Sequence, residues 1–296
     1  MLTIFTIPKP FEGHTSIIQR NAIQSWLQLR PKCEVILCGR DDGVATVSKG
    51  FGVQHIADVA CTVYGTPLLS SAFKQVQDVA QHRLICYVNA DIILFSDLLT
   101  AIERIPFKRF LMVGQRWDLD VKTEIDFESV DCANGLASEC KSRGVLHPAS
   151  GSDYFVFPKG SIGELPDFAV GRPGWDNWLI YRARALGLPL VDATEAVTII
   201  HQNHDYGHVP KRRGDTYDGP EGDENLALVG GSEKKFILLD ATWLLTPKEL
   251  VPARTFKHLL RVMFLWIALH LRLYPLHRKI KRALAFLKRF PNALPG

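Results

Sequence analysis

The sequence contains no Walker phosphate loop, no GxGxxG, no GxSxG and no HExxH. That removes the signatures of P-loop nucleotide enzymes, dinucleotide-binding sheets, serine hydrolases and zinc peptidases. Its six cysteines (Cys33, Cys38, Cys61, Cys86, Cys132 and Cys140) form no CxxC pair. They read as reduced core thiols and not as a disulfide frame or a zinc site. The lysines and arginines of the body are scattered, without the interleaved aromatics of a single-strand groove, so no nucleic acid is expected as a partner. There is no internal repeat. The uncharged run VMFLWIAL at 262–269 is bounded by Arg261 and Arg272 and is far shorter than the ~20 residues a membrane span requires. The start, MLTIFTIPKPFEG, meets Pro8 and Pro10 at once and reads as a first strand, not a secretory leader. Acidic residues are missing from one region altogether. From Val251 onward there are ten Lys and Arg and no Asp or Glu, whereas the preceding residues carry 25 Lys and Arg against 31 Asp and Glu, a net −6. A mildly acidic body therefore carries a strongly basic tail.

What is present is an ordinary globular composition: 296 residues, 47% apolar and 22% charged, enough for one large domain or two small ones. The first 120 residues alternate strand-like and helix-like segments. TIFTIP (3–8) precedes a helix in which Ser16 and Gln19 have capping-box spacing and Ile18, Ala22, Trp26 and Leu29 form a stripe. The apolar run 34–39, a Gly-rich turn, a helix over 68–81, a strand over 84–94, a helix opening at Ser96 or Asp97 and the strand RFLMVGQ follow. This rhythm predicts an α/β fold with a mostly parallel sheet covered on both faces, whose ligands bind beyond the carboxyl ends of the strands. After 120 come an irregular polar insert, the strand SDYFVFPKG, a helix from Gly174 or Trp175 to Gly187, the strand VTII with the turn HQNHDYGH, and a loop-like stretch over 210–235.

Four places carry chemistry-bearing residues. Asn89 and Asp91 interrupt an apolar run, where a carboxylate is costly without a compensating partner. Two apart on an extended strand, they would point to one side and suit a hard cation such as Mg or Mn. The plainer reading is a carboxylate capping the next helix or paired with an arginine. Asp176, between Trp175 and Trp178 at a helix start, could be poised as a base by the opposing effects of the helix N-terminus and apolar burial, or be simple N-terminal helix charge. His201, His204 and His208 follow a buried strand and could offer nitrogens to a metal, with Asp205 as a supporting acceptor, or be solvated turn residues. Asp153 opens a strand after small residues, as a substrate contact or a turn carboxylate.

Taken in order over 1–245, these motifs resemble the GT-A class of nucleotide-sugar glycosyltransferases. The run 89–91 is similar to that family's Asp-x-Asp motif, WDNW to its later acidic motif at a helix start, and His201 or His204 to its metal-binding histidine. The resemblance implies a GT-A-like mostly parallel central sheet flanked by helices, with a nucleotide-binding half (1–120) and an acceptor half (121–245). It implies a divalent cation (Mn or Mg) on Asp91, His201 and His204; Asp176 as base or acceptor anchor; and Asp153 at the acceptor or sugar. By the same resemblance Asn89 would sit near the ribose or ion. Apart from it, Thr6 and Arg20 are nucleotide-side candidates, and Lys211, Arg212 and Arg213, in the loop past the histidines, could close on the diphosphate and exclude water or be a solvated basic loop. The departure is Asn89, whose amide contributes no charge where the family pattern has a carboxylate. The implied activity is transfer of a sugar from a nucleotide-sugar donor to a glycan, lipid-linked or small acceptor. A catalytically silent relative and a sugar nucleotidyltransferase are the alternatives. The remaining residues, 246–296, form a basic helical tail. Leu276, Ile280, Ala283, Leu284 and Leu287 share one helical face, with the cations mostly off it, a pattern that suits an anionic membrane surface along 255–290. The expected location is cytoplasmic, at such a surface; the other reading is a pair of docked helices with a solvated basic face.

Overall fold

The structure is a computed structural model that describes residues 1–129, 132–204 and 219–270. Asp205, His208, Lys211, Arg212, Arg213 and the tail face beyond 270 lie outside the described residues. The chain divides into two compact units, Met1–Pro252 and Ala253–Gly296.

The first unit begins with β1 (Leu2–Thr6), α1 (Gly13–Leu27), β2 (Glu34–Cys38), α2 (Val44–Phe51), β3 (Gln54–Ile56), α3 (Leu69–Val79), β4 (Leu84–Val88), β5 (Ile92–Leu94), α4 (Asp97–Glu103) and β6 (Leu111–Val113). It continues with β7 (Trp117–Leu119), α5 (Cys132–Arg143), β8 (Val145–Leu146), β9 (Tyr154–Pro158), α6 (Trp175–Ala185), β10 (Leu190–Asp192), β11 (Ile199–Gln202), α7 (Pro220–Val229), β12 (Trp243–Leu245) and β13 (Leu250–Pro252). Nine strands form the central sheet in the order β13-β12-β10-β6-β9-β4-β1-β2-β3. Within it β3, β2, β1 and β4 are mutually parallel, as are β6, β10 and β12. Only β9, set between β4 and β6, and the edge strand β13 run against them. This is the mostly parallel, helix-flanked α/β sheet expected from the sequence. A second sheet, β5-β11-β7-β8, stands beside it.

Helices cover both faces of the central sheet, which is why its strands read as unbroken apolar runs. Adjacent residues of one strand point to opposite faces: Ile4 and Cys86 pack with Ala22 and Trp26 of α1, while Phe5 and Tyr87 pack with Phe73 of α3 and Trp175 of α6. In that second layer the ring of Tyr87 lies 5.3 Å from Phe5 and 5.2 Å from Trp175, contacts of about 0.5–1.5 kcal/mol each beyond simple burial. The start of α6 is thereby fixed against the strand that leads to Asp91.

Several expectations need correction. The helix α1 begins at Gly13, with Glu12 as an N-cap that makes no side-chain bond; Ser16 lies inside it and accepts from Arg20 Nε at 3.3 Å, so the capping-box reading fails. The run 84–94 is two strands, not one. Asn89 N–H still donates to Asp153 O at 2.9 Å, but Ile92 N–H turns back to Asn89 O at 3.2 Å, and β5 leaves to pair antiparallel with β11 in the second sheet. Both halves are buried, so apolar periodicity could not reveal the turn between them. The Gly-rich turn after β2 holds α2 and β3, the short strand β7 follows β6 just before 120, and the insert after 120 holds α5 and β8. Part of the loop-like stretch is α7, which has Pro220 in its first turn with Glu221 and Asp223, a favourable start for a helix.

In the second unit the described helix is α8 (Phe256–His270). No helix among the described residues is long and apolar enough to cross a membrane.

Candidate active site

A cavity of about 640 Å³ opens where β1, β2 and β4 end, lined by Lys9, Asp41 and Asp91 among others, by the segments before β9 and α6, and by His201 and His204 at the end of β11. Its size suits a small molecule, and its place at the carboxyl ends of parallel strands is where such sheets bind ligands.

Polar side chains on the inner face of α1 hold the wall of this cavity in register. Gln19 and the backbone of Lys9 exchange two hydrogen bonds, at 2.7 and 2.9 Å. Trp26 Nε1 donates to Ile92 O at 2.9 Å, Leu94 N–H to Ser25 Oγ at 3.1 Å. Gln202, buried on β11, donates to both Ile18 O and Asp91 O and accepts from Asn21. The backbone of the Asp91 turn is therefore tied to a helix and to the strand that carries His201.

Asp91, His201 and His204 each offer one ligand atom, all within 4.8 Å of one another. His204 Nε2 lies 3.0 Å and His201 Nε2 3.7 Å from Asp91 Oδ2. Two ligands bound at about 2.1 Å and at right angles would sit about 3.0 Å apart, so the spacing fits one divalent ion. Asp91 Oδ1 is buried with no hydrogen-bond partner among the described residues, an orphan acceptor that a cation would satisfy. Burial opposes ionisation of Asp91, but the charge of His201, the hydrogen bond and charge of His204, and Lys9 overcome it and hold the carboxyl well below the usual range. Burial also lowers the basicity of His201, and Asp91 and Asp118 more than restore it, leaving its pKa raised.

Behind this trio lies a chain of charges that the sequence reading missed. Asp118 on β7 faces His201 Nδ1 at 3.1 Å. The approach is an ion-pair contact and not an aligned hydrogen bond, since that nitrogen has no partner by hydrogen-bond geometry. The same carboxylate accepts from Arg116 Nε at 2.8 Å and from His147 Nδ1 at 2.8 Å. Burial would raise the Asp118 pKa, yet His201, His147 and Arg116 hold it well below the usual carboxylate range. Arg116 continues to Asp153 Oδ2 at 2.6 Å, and Asp153 Oδ1 accepts from Asn89 Nδ2 at 2.6 Å. Asn89 Oδ1 in turn accepts from Tyr87 at 3.2 Å. Asn89 and Asp91 thus diverge, contrary to the shared-face expectation, because they occupy a turn. Asn89 serves Asp153, and Asp91 serves the histidines.

Asp176 lines the cavity in the first turn of α6. Burial pushes its carboxyl up to about 6, with Asp153 adding to the rise, against the lowering by backbone N–H groups of Asn177, Asp176 and Ser152. At the rim, Arg172 donates through Nε and Nη2 to Glu221 Oε2 at 3.0 and 2.6 Å, and Thr62 donates to Glu221 Oε1 at 2.6 Å. These bonds pin the start of α7 to two loops of the cavity wall.

Of the residues singled out from sequence, Asp91, Asn89, Asp153, Asp176, His201 and His204 meet at this one cavity. Thr6 is buried at the end of β1 and Arg20 sits over the Phe11 ring at 5.9 Å; neither lines the cavity. Arg116, Asp118 and His147 were missed. The alternation QRWDLD, with charges two apart, was the available signal.

No protein-family model matches the chain, and no curated protein matches it. Among solved structures it is similar to a protein of Desulfovibrio desulfuricans G20 described as a nucleotide-diphospho-sugar transferase, at 15% identity and TM-score 0.42, covering 77% of this chain and 96% of that one. It is also similar to glucosyl-3-phosphoglycerate synthase from Mycobacterium tuberculosis in complex with Mn2+, UDP and glucosyl-3-phosphoglycerate, at 15% identity and TM-score 0.46, over 77% of this chain and 78% of that. A mannosyltransferase from Pyrobaculum calidifontis in complex with GDP-Man and Mn2+ matches at 11% identity and TM-score 0.40, over 72% of this chain and 58% of that.

Proposed function

We propose that the chain is a glycosyltransferase that moves a sugar from a nucleotide-sugar donor to a glycan, lipid-linked or small acceptor. The observation that carries this reading is the Asp91, His201 and His204 trio, spaced for one divalent ion at the carboxyl ends of the strands and open to the cavity. A bound Mn or Mg would supply charge neutralisation for a departing diphosphate. The chain's own residues do the rest. Asp118 and Arg116 brace His201, and Asn89 and Arg116 hold Asp153 toward the bound sugar or acceptor. Asp176 accepts the proton of the attacking hydroxyl, if the anomeric centre is inverted, or anchors the acceptor. The nucleotide half is 1–120 and the acceptor half 121–245, with Lys211, Arg212 and Arg213 on the diphosphate side. Of residues 246–296, those after the edge strand β13 hold the protein peripherally at an anionic cytoplasmic membrane surface.

The amide at position 89 does not argue for a silent relative, because its hydrogen bonds to Asp153 and Tyr87 are ones that a carboxylate could not all make. Incubation with a panel of nucleotide sugars, with and without Mn2+, tests the proposal. Metal-dependent release of a nucleoside diphosphate from at least one donor is expected; no release from any, together with no nucleotide binding, would overturn it.

A further inference from the structure

We infer that His147 is a substrate-contacting residue whose Nε2, set by Asp118, accepts a hydrogen bond from a hydroxyl of the donor's sugar; this rests on the nucleotide-sugar reading above. Pairing of β8 with β7 sets Leu146 opposite Trp117, which brings the next residue, His147, beside the strand that carries Asp118. His147 N–H donates to Arg116 O at 2.9 Å, and its carbonyl accepts from the Gln115 side chain, so the residue is fixed through its backbone before its ring makes any contact.

The ring is fixed as well. Nδ1 lies 2.8 Å from Asp118 Oδ2, and a carboxylate only accepts, so Nδ1 carries the proton. In the neutral imidazole Nε2 is then an acceptor, and it has no protein partner among the described residues. The ring edge passes over Gly151, where an added Cβ would lie 2.7 Å from Nε2; only a residue without a side chain leaves that space. The same Asp118 carboxylate faces His201 through its other oxygen at 3.1 Å. One carboxylate therefore directs two imidazoles, one to the ion site and one to the cavity wall beside it. The group attached to an ion-bound diphosphate is the sugar, and its hydroxyls are donors that match an imidazole lone pair. His147 contacts the substrate, and Asp118 is its positioning residue.

The test uses the full chain and two readouts. Long-range 15N–1H correlation spectra of the imidazoles should show His147 protonated at Nδ1 in the wild type and lose that single tautomer in Asp118→Asn. Calorimetry with Mn2+ then compares nucleotide sugars with their parent diphosphates, such as UDP-glucose with UDP and GDP-mannose with GDP. His147→Ala should weaken the sugar nucleotide that binds by about 3- to 10-fold, the span of one neutral hydrogen bond, and leave the diphosphate unchanged. Gly151→Ala, which displaces the ring without removing it, should do the same. An Nε2-protonated His147, or equal effects on sugar nucleotide and diphosphate, or no effect on either, would overturn this inference alone. Failure of every nucleotide to bind the wild type would overturn it together with the transferase reading.

Discussion

Asn89 donates to Asp153 across 2.6 Å, and Asp153 also takes a guanidinium of Arg116 at the same distance. A second carboxylate at position 89 would face the first at hydrogen-bond range, and like charges so placed cannot both ionise without cost. The amide that departs from the Asp-x-Asp pattern is thus the residue type its neighbours accommodate. Asp176 shows the opposite balance, since burial and Asp153 raise its carboxyl from 3.8 to about 6. A raised carboxyl pKa means that the folded chain binds the proton more tightly than the unfolded one. Its contribution to stability is therefore full below about pH 4 and is lost as pH rises to about 6. The form able to take a proton accumulates over the same interval. The expected pH profile of kcat/KM therefore has an acidic limb with an apparent pKa near 6. Asp176→Asn should remove that limb and lower turnover by about 10²-fold or more with donor binding retained; wild-type turnover in this variant would exclude the base role.

At the scale of elements, the site depends on α1 as much as on the strands that carry its ligands. Trp26 is fully buried and its indole N–H satisfies Ile92 O, so Trp26→Phe leaves a buried carbonyl unpaired. A loss of about 2 kcal/mol in urea unfolding is expected, and a change under about 0.5 kcal/mol would mean that the indole bond does not hold β5. Much of this layer was legible beforehand. The strands β1, β2, β4 and β9 and the helices α3 and α6 follow from apolar runs and stripes long enough to show their period. The turn at 89–91 was not legible, because an apolar run continues through it. Arg116 and Asp118 were marked only by the charge alternation of QRWDLD; what they face was not legible, because β7 is three residues long and is fixed by pairing with Ile200 and His201, some eighty residues away in sequence. No local pattern encodes that partner.

For the whole molecule, the division of charge is the main feature. The ten cations after Val251 have no acidic counterweight, and in the second unit α8 leaves Phe256, Leu259, Val262 and Met263 exposed. Exposed apolar residues among cations favour an anionic lipid surface, where each Lys or Arg near the surface contributes about 1 kcal/mol. Truncation after Pro252 should weaken binding to phosphatidylglycerol vesicles at least tenfold and abolish its dependence on salt; equal binding by the two forms would refute the membrane role. The first unit supplies the rest: a mostly parallel sheet whose strand β4 leads to Asp91, and a second sheet whose strand β11 brings His201 and His204 to it from a segment distant in sequence.

The central claim is that Asp91, His201 and His204 hold one ion on which a nucleotide diphosphate docks. The most direct test is calorimetric titration of nucleoside diphosphate into wild type and Asp91→Ala, each with Mn2+ and with chelator. Binding that requires Mn2+ in the wild type and is absent from Asp91→Ala is the predicted result; equal binding by both proteins, with or without the ion, would contradict it.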